Sequence, residues 1–380
     1  MIIGIDASNI RATGAANLNE LLQGASPSSH GFHRVVIWIR KDALDKVNDH
    51  EWLLKVHEPL LDRSLPFRLF WQRFRLKKIA QRAGCDVLSV LSGSDASGFK
   101  PMVTISQNLL PFEWREMRRF GWSLYTLKFL LLRWTQSQSF HKADGVIFLT
   151  QYARDAVLKV TGALRGKNVI IPHGINPRFF QLPRTQRLAK EFDSTQPCRV
   201  LYVSVIDVYK HQWQVAEAVA QLRSAGIHIL LELIGPPARS ICQLKETMNR
   251  VDFEGEFIKY RGAVPHEELH KVYKVADIGL FASSCENMPN ILLEGMAAGL
   301  PIACSSMGPM PEVLGDAGVY FNPEDSNDIA RALRELIDSS DLRVQLSDAA
   351  FARAKQYSWK QSANKTVDFL SEIAHKQIGI

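Results

Sequence analysis

The sequence predicts two successive doubly wound α/β domains of Rossmann type, joined by a linker and facing a common cleft. Three observations lead there. Buried, strand-like runs alternate with helical stretches along almost the whole chain, the order that builds a parallel sheet covered on both faces. The alternation lapses once, between Asn176 and Pro197, in a polar stretch containing Pro183-Arg184-Thr185-Gln186, and then restarts. Finally, 380 residues, 46% hydrophobic and 22% charged, can bury two cores and exceed one average domain.

In order, residues 1–6 (MIIGID) read as a buried first strand, 8–16 as a loop carrying Gly14, and 17–22 as a helix. VVIWI at 35–39 is a second buried strand. Residues 52–83 read as one basic helix ended by Gly84, with strands at 86–91 and 102–106 and a long helical region at 113–142. A strand at 145–150, a helix at 152–160 and a strand at 169–171 close the first series at Pro172-His173-Gly174. The second series has strands at 199–205, 227–234, 258–260, 278–282 and 302–304, separated by helices. The expected domains are 1–180 and 198–355, with a linker at 181–197 and a C-terminal helix, 356–380, crossing back to the first domain.

The N-terminus has no basic start, apolar run and cleavage site of a signal peptide, and no apolar run reaches the roughly 18 residues of a membrane span. Five widely spaced cysteines form no C-x-x-C pair, which favours free thiols. The expectation is a soluble, cytoplasmic protein. A net charge of +7 suggests an anionic partner. Arg63 to Arg82 holds seven basic residues and no acidic one, interleaved with Phe67, Phe70, Trp71 and Phe74. A second basic-aromatic stretch runs from Phe112 to Trp134. These stretches are either solvated faces over a core, a nucleic-acid surface or a membrane-docking surface. Without a nucleic-acid motif, no nucleic-acid partner is expected, and peripheral contact with an anionic membrane stays open.

The most informative stretch is DIGLFASSCENMPNILLEGMAAGLPIACS, Asp277 to Ser305. It reads as strand, polar loop, helix started by Pro289, and a Gly299–Pro301 stop. Glu294 sits among Leu292, Leu293 and Met296, where an ionised carboxylate needs donors such as the two hydroxyls of a ribose. The alternative is a solvated Glu294 on the helix's outer face. Glu286 lies in the loop ahead of the helix, beside amides at Asn287, Met288 and Asn290 that suit a diphosphate.

This stretch resembles the retaining glycosyltransferases of family 4, whose fold is GT-B: two Rossmann-like domains facing a central cleft. Their E-x7-E pattern stands here as Glu286-NMPNILL-Glu294, followed by GMAAGLP. The resemblance extends to Tyr260–Pro265, Leu269–Asp277 and Pro311–Gly318, and more weakly to Ala143–Thr150 and Ile171–Ile175. It implies that Glu294 binds the donor ribose and Glu286 the transferred hexose, with Lys210 on the diphosphate. Asn287, Met288, Pro289, Asn290 and Ser204 would line the donor, and the backbone of Gly262 to Val264 would meet the base. Gly14, Ala15, Asn108 and His173 would form the acceptor and phosphate loop, His173 either lining the cleft or bracing a hinge. Departures are Ser204-Val205 for the usual Gly-Arg, His211 for a glycine, Gly14-Ala15 for paired glycines, and Gln107-Asn108 for His-Asp. The last leaves no obvious general base, which a front-face mechanism tolerates because the leaving phosphate takes the acceptor proton.

The implied activity is hexosyl transfer (EC 2.4) from a nucleotide sugar to a glycan or lipid-linked acceptor in bacterial surface polysaccharide or lipopolysaccharide assembly. No D-x-D motif is present, so no metal and no cofactor is expected. Rival readings are a nucleotide-sugar hydrolase or epimerase of the same fold, and a catalytically weakened sugar-nucleotide-binding protein. The segment 93–100 approaches a P-loop but puts Phe99 where the lysine belongs, and no G-x-G-x-x-G exists.

Overall fold

The computed structural model describes residues 1–10 and 14–378, so residues 11–13 of the expected first loop and the last two residues of the chain lie outside it. The described chain divides into two compact units. One comprises Met1–Met117, Trp122–Gly174 and Tyr357–Ile380, the other Arg118–Gly121 and Ile175–Gln356.

The first unit is a seven-stranded parallel sheet. Its strands are β1 (Ile2–Ala7), β2 (Arg34–Ile39), β3 (Leu53–His57), β4 (Val87–Val90), β5 (Met102–Ile105), β6 (Gly145–Phe148) and β7 (Lys167–Ile170), in the order β3-β2-β1-β4-β5-β6-β7. β1, β2, β4, β5 and β6 are almost wholly buried, as their continuous apolar runs require of a sheet covered on both sides. Residues 52–83 are not one helix. Leu53–His57 pairs in parallel with β2, Val36 opposite Leu54, and helical structure begins only at Pro59. The region 113–142 is likewise two helices, Trp114–Arg118 and Leu124–Lys142, parted where Gly121 takes a left-handed φ of 59°. Ser123 caps the second, accepting from the Thr126 amide.

The returning C-terminal helix, Trp359–Ile378, packs on helix Ala15–Gly24 and on β4, β5 and β6. This explains the glycine of Pro172-His173-Gly174. A Cβ on Gly174 would lie 2.0 Å from the backbone nitrogen of Trp359, while the His173 ring lies 5.1 Å from the Trp359 ring.

The second unit is a six-stranded parallel sheet of β8 (Cys198–Val203), β9 (Ile229–Ile234), β10 (Ile258–Tyr260), β11 (Ile278–Phe281), β12 (Ile302–Ser305) and β13 (Gly318–Phe321), in the order β10-β9-β8-β11-β12-β13. Residues 181–197, expected as a linker, are strapped onto this unit. The Gln181 amide donates to the Ala297 carbonyl at 2.9 Å, Gln181 Nε2 to the His270 carbonyl at 2.8 Å, and Arg187 pairs with Asp277 at 3.2 Å. The chain passes between units at Met117–Arg118, Gly121–Trp122, Gly174–Ile175 and Gln356–Tyr357.

Candidate functional site

In the second unit the strand order reverses between β8 and β11. At such a reversal successive helices leave to opposite faces, and the usual ligand position is outside the carboxyl ends of the strands. Lys210 lies on the loop after β8 and Glu286, 76 residues later, on the loop after β11; they form an ion pair. The Lys210 side chain is 7% exposed and that of Glu286 16%. The ammonium also lies 4.9 Å from the Tyr209 ring centre and 5.5 Å from that of Phe281, a cation–π arrangement that favours the charge.

Backbone geometry brings the two loops together. Tyr202 Oη donates to the Lys210 carbonyl at 2.7 Å, the Lys210 amide donates to the Asp207 carbonyl at 2.9 Å, and the Ser284 amide donates to the Tyr209 carbonyl at 2.9 Å. His211 then starts helix Gln212–Ser224 in a left-handed conformation, φ 54° and ψ 29°, which glycine adopts without steric cost. Its buried ring Nε2 lies 3.0 Å from Ser284 Oγ, a cross-loop tie that glycine lacks. Burial, and then the charge of Glu286, raise the Tyr202 and Tyr209 hydroxyls, so both stay protonated.

Glu294 is 6% exposed on helix Asn290–Ala297, which removes the solvated reading. Its donors come from the chain itself: His266 Nε2 lies 2.8 Å from Oε1, and Tyr273 Oη donates to Oε2 at 3.1 Å. Arg178 faces the other nitrogen, His266 Nδ1, at 2.7 Å. Guanidinium only donates and an ionised carboxylate only accepts, so the ring carries its proton on Nε2. Phe179 packs edge-on to Tyr273 at 5.9 Å and against His266 at 5.3 Å. Burial, and then Glu294, push the Tyr273 hydroxyl well up and keep it a donor. A carboxylate offers about four acceptor sites; two are used, leaving room for a bound hydroxyl. His266, Tyr273 and Arg178 were not read from the sequence as site residues, because no local spacing marks them.

Other expected donor residues cluster at the same strand ends. Gly262, with φ +70°, has nothing within 4 Å of where a Cβ would stand, and its carbonyl accepts from the Gly235 amide at 2.8 Å. Val264 is half-buried, Ser204 is buried with its amide on the Ile234 carbonyl at 2.8 Å, and Asn287, Met288 and Pro289 are buried. Pro289 stands at the N-cap rather than the first helical position, and the Asn290 amide donates to the Met288 carbonyl at 2.9 Å. The cation absent at Val205 has a neighbour the sequence did not reveal. Arg239, on the loop after β9, donates to Asp207 Oδ2 at 2.7 Å, and Pro237 on the same loop bridges Ile206.

In the first unit, Gly14, Gln107 and His173 line a cavity of about 90 Å³ at the C-terminal ends of β4 to β7, with Trp359, Ser362 and Thr366. Gly14 has φ −89°, which any residue adopts, so its contribution is the missing side chain. Ala15 is buried in the helix, and the Asn108 side chain accepts from the Leu110 amide at 3.2 Å, which places neither on the cavity wall.

Residues 197–339 match the family described as glycosyl transferases group 1, and residues 29–179 match glycosyltransferase family 4. With the two parallel sheets, these matches support a glycosyltransferase of GT-B fold. It is 32% identical over 112 residues to the O-antigen chain mannosyltransferase B of Escherichia coli, covering 30% of this chain and 29% of that protein. The chain spans less than half the length of the first curated relatives it matches. Among solved structures it resembles a sucrose-phosphate synthase from Thermosynechococcus elongatus, TM-score 0.73, 18% identity, covering 100% of this chain and 99% of that one. It also resembles Alr3699/HepE of Anabaena in complex with UDP and glucose, TM-score 0.69, 16% identity, covering 100% of both.

Proposed function

We propose that the protein is a retaining hexosyltransferase that takes its sugar from a nucleotide diphosphate donor and passes it to a glycan or lipid-linked acceptor in bacterial surface polysaccharide assembly. The observation that carries this reading is the Lys210–Glu286 pair at the β8/β11 reversal, with the buried Glu294 eight residues beyond Glu286. The names of relatives that build O-antigen or hold UDP and glucose support it.

Glu294 takes ribose hydroxyls on its remaining acceptor sites, and Glu286 takes hydroxyls of the hexose. Lys210 has three donors, so it can neutralise Glu286 and meet the diphosphate together. As the C1–O bond to the diphosphate breaks, negative charge grows on the leaving oxygen and Lys210 stabilises it. The acceptor oxygen bonds C1 from the same face, and its proton passes to the leaving phosphate oxygen. No protein base and no resident metal enters this scheme. The enzyme works at the inner face of the cytoplasmic membrane, where lipid-linked acceptors are reached.

The test is donor turnover with and without acceptor, with the product's anomeric configuration read by NMR. Acceptor-dependent transfer with retention, unaffected by EDTA, is expected. Inversion would overturn the mechanism. Acceptor-independent release of the free sugar would identify a hydrolase, and binding without turnover would identify a binding protein.

A further inference from the structure

Two helical stretches of the first unit turn large apolar side chains outward as well as inward. Helix Leu124–Lys142 buries Phe129, Gln136, Ser139 and Phe140. Leu124, Leu127, Leu131 and Trp134, spaced by three or four residues, are 84%, 64%, 59% and 63% exposed. Phe129 and Phe140 anchor the inner face beside Gln136 and Ser139, and a second apolar stripe faces water, where an ordinary surface helix carries polar side chains. Trp122, just ahead, is fully exposed.

The stretch 65–82 does the same around a buried Trp71, Leu76 and Ala80. Arg68 and Gln72 are buried, Gln72 Nε2 donating to Asp6 Oδ2 at 2.5 Å and to Ser8 Oγ at 3.0 Å. Leu65, Phe67, Leu69, Phe70 and Phe74 stand exposed. A π-helical turn, Gln72–Leu76, turns Gln72 and Leu76 inward and leaves Arg73, Phe74 and Arg75 outside.

Topology puts both stretches on one side. They connect β3 to β4 and β5 to β6, moves that run the same way across the sheet. Right-handed crossovers therefore place them on one face, opposite helix Ala15–Gly24 and the C-terminal helix packed on it. The charge is as lopsided as the apolarity. Residues 63–82 hold seven of the 46 basic residues and none of the 39 acidic ones, so the rest of the chain is balanced at 39 of each. The whole +7 excess sits in this segment.

We propose that this face docks on an anionic lipid bilayer, with the Leu/Trp stripe at the headgroup–acyl boundary and the cations on lipid phosphates. The charge selects this occupant over a second copy. A two-fold pairing through the same face would set the six exposed cations of each copy, Arg63, Arg73, Arg75, Lys77, Lys78 and Arg82, against those of the other.

The experiment is vesicle flotation of the full chain without donor, so it is independent of the transfer reaction. Phosphatidylcholine vesicles are compared with vesicles containing about a third phosphatidylglycerol. Anionic vesicles should bind about tenfold or more tightly, and rising salt should release the protein. The variant Leu127→Gln/Leu131→Gln/Trp134→Gln and the variant Arg73→Gln/Arg75→Gln/Lys77→Gln/Lys78→Gln should each lose about tenfold or more, with wild-type melting temperatures. In the wild type, brominated lipid should quench tryptophan fluorescence. Absence of binding to anionic vesicles at low salt would overturn the proposal. So would equal binding to both vesicle types, or a lipid-free dimer that the Leu/Trp variant dissociates.

Discussion

His266 donates from Nε2 to Oε1 of Glu294 across 2.8 Å, and Arg178 on the ring's other nitrogen fixes that direction. Glu294 is thus oriented by the chain before any ligand arrives, with Tyr273 holding its second oxygen. The His266→Ala variant should weaken donor binding about tenfold, the worth of one hydrogen bond to a charged group, while kcat at saturating donor stays near wild type. A fall in kcat with unchanged KM would remove His266 from the binding role.

The Lys210–Glu286 pair predicts a separable effect on stability and rate. Lys210→Met strands a half-buried carboxylate and should cost about 3 kcal/mol in urea unfolding, with kcat down about 100-fold. The double variant Lys210→Met/Glu286→Gln should recover most of the stability and none of the rate. Recovered activity in the double variant would contradict the roles assigned to both residues.

At His211 the left-handed backbone and the buried ring pull in opposite directions. His211→Ala keeps the unfavourable Cβ and loses the Ser284 contact, whereas His211→Gly loses the contact but relieves the backbone. Alanine should therefore be less stable than glycine by about 1 kcal/mol. Equal stabilities would show that the backbone relaxes.

The cysteines give a check on the fold at large. Cys198, Cys285 and Cys304 are buried, Cys242 is exposed, and burial followed by the charge of Asp86 pushes the Cys85 thiol up to about 12. At neutral pH an aromatic disulfide reagent should titrate one thiol in the native protein and five in denaturant, with Cys242→Ser abolishing the native signal. A second fast thiol would contradict the packing around these strands.

Legibility in the sequence followed the range of the interactions. The buried strands and the Glu286…Glu294 helix are local patterns, and both sheets apart from β3 and β13 follow from them. β3 was hidden because Leu-Leu-Lys-Val-His is short and mixed, and it ran into a basic stretch that reads as helix. Lys210 could be set beside Glu286 only through the family resemblance, since 76 residues separate them. Arg178, His266 and Tyr273 converge on Glu294 from separate elements, and no period announces that. The basic and aromatic content of 63–82 was plain, but which side chains turn outward depends on Gln72 finding Asp6 in another element.

The most direct test of the donor site is a thermal-shift titration of the full chain with UDP-, GDP-, ADP- and dTDP-sugars, beside Glu294→Gln. One donor should raise the wild-type midpoint by about 5 °C at a hundredfold excess over Kd, and the shift should vanish in the variant. A shift of equal size in Glu294→Gln, or none with any donor at millimolar concentration, would contradict the account.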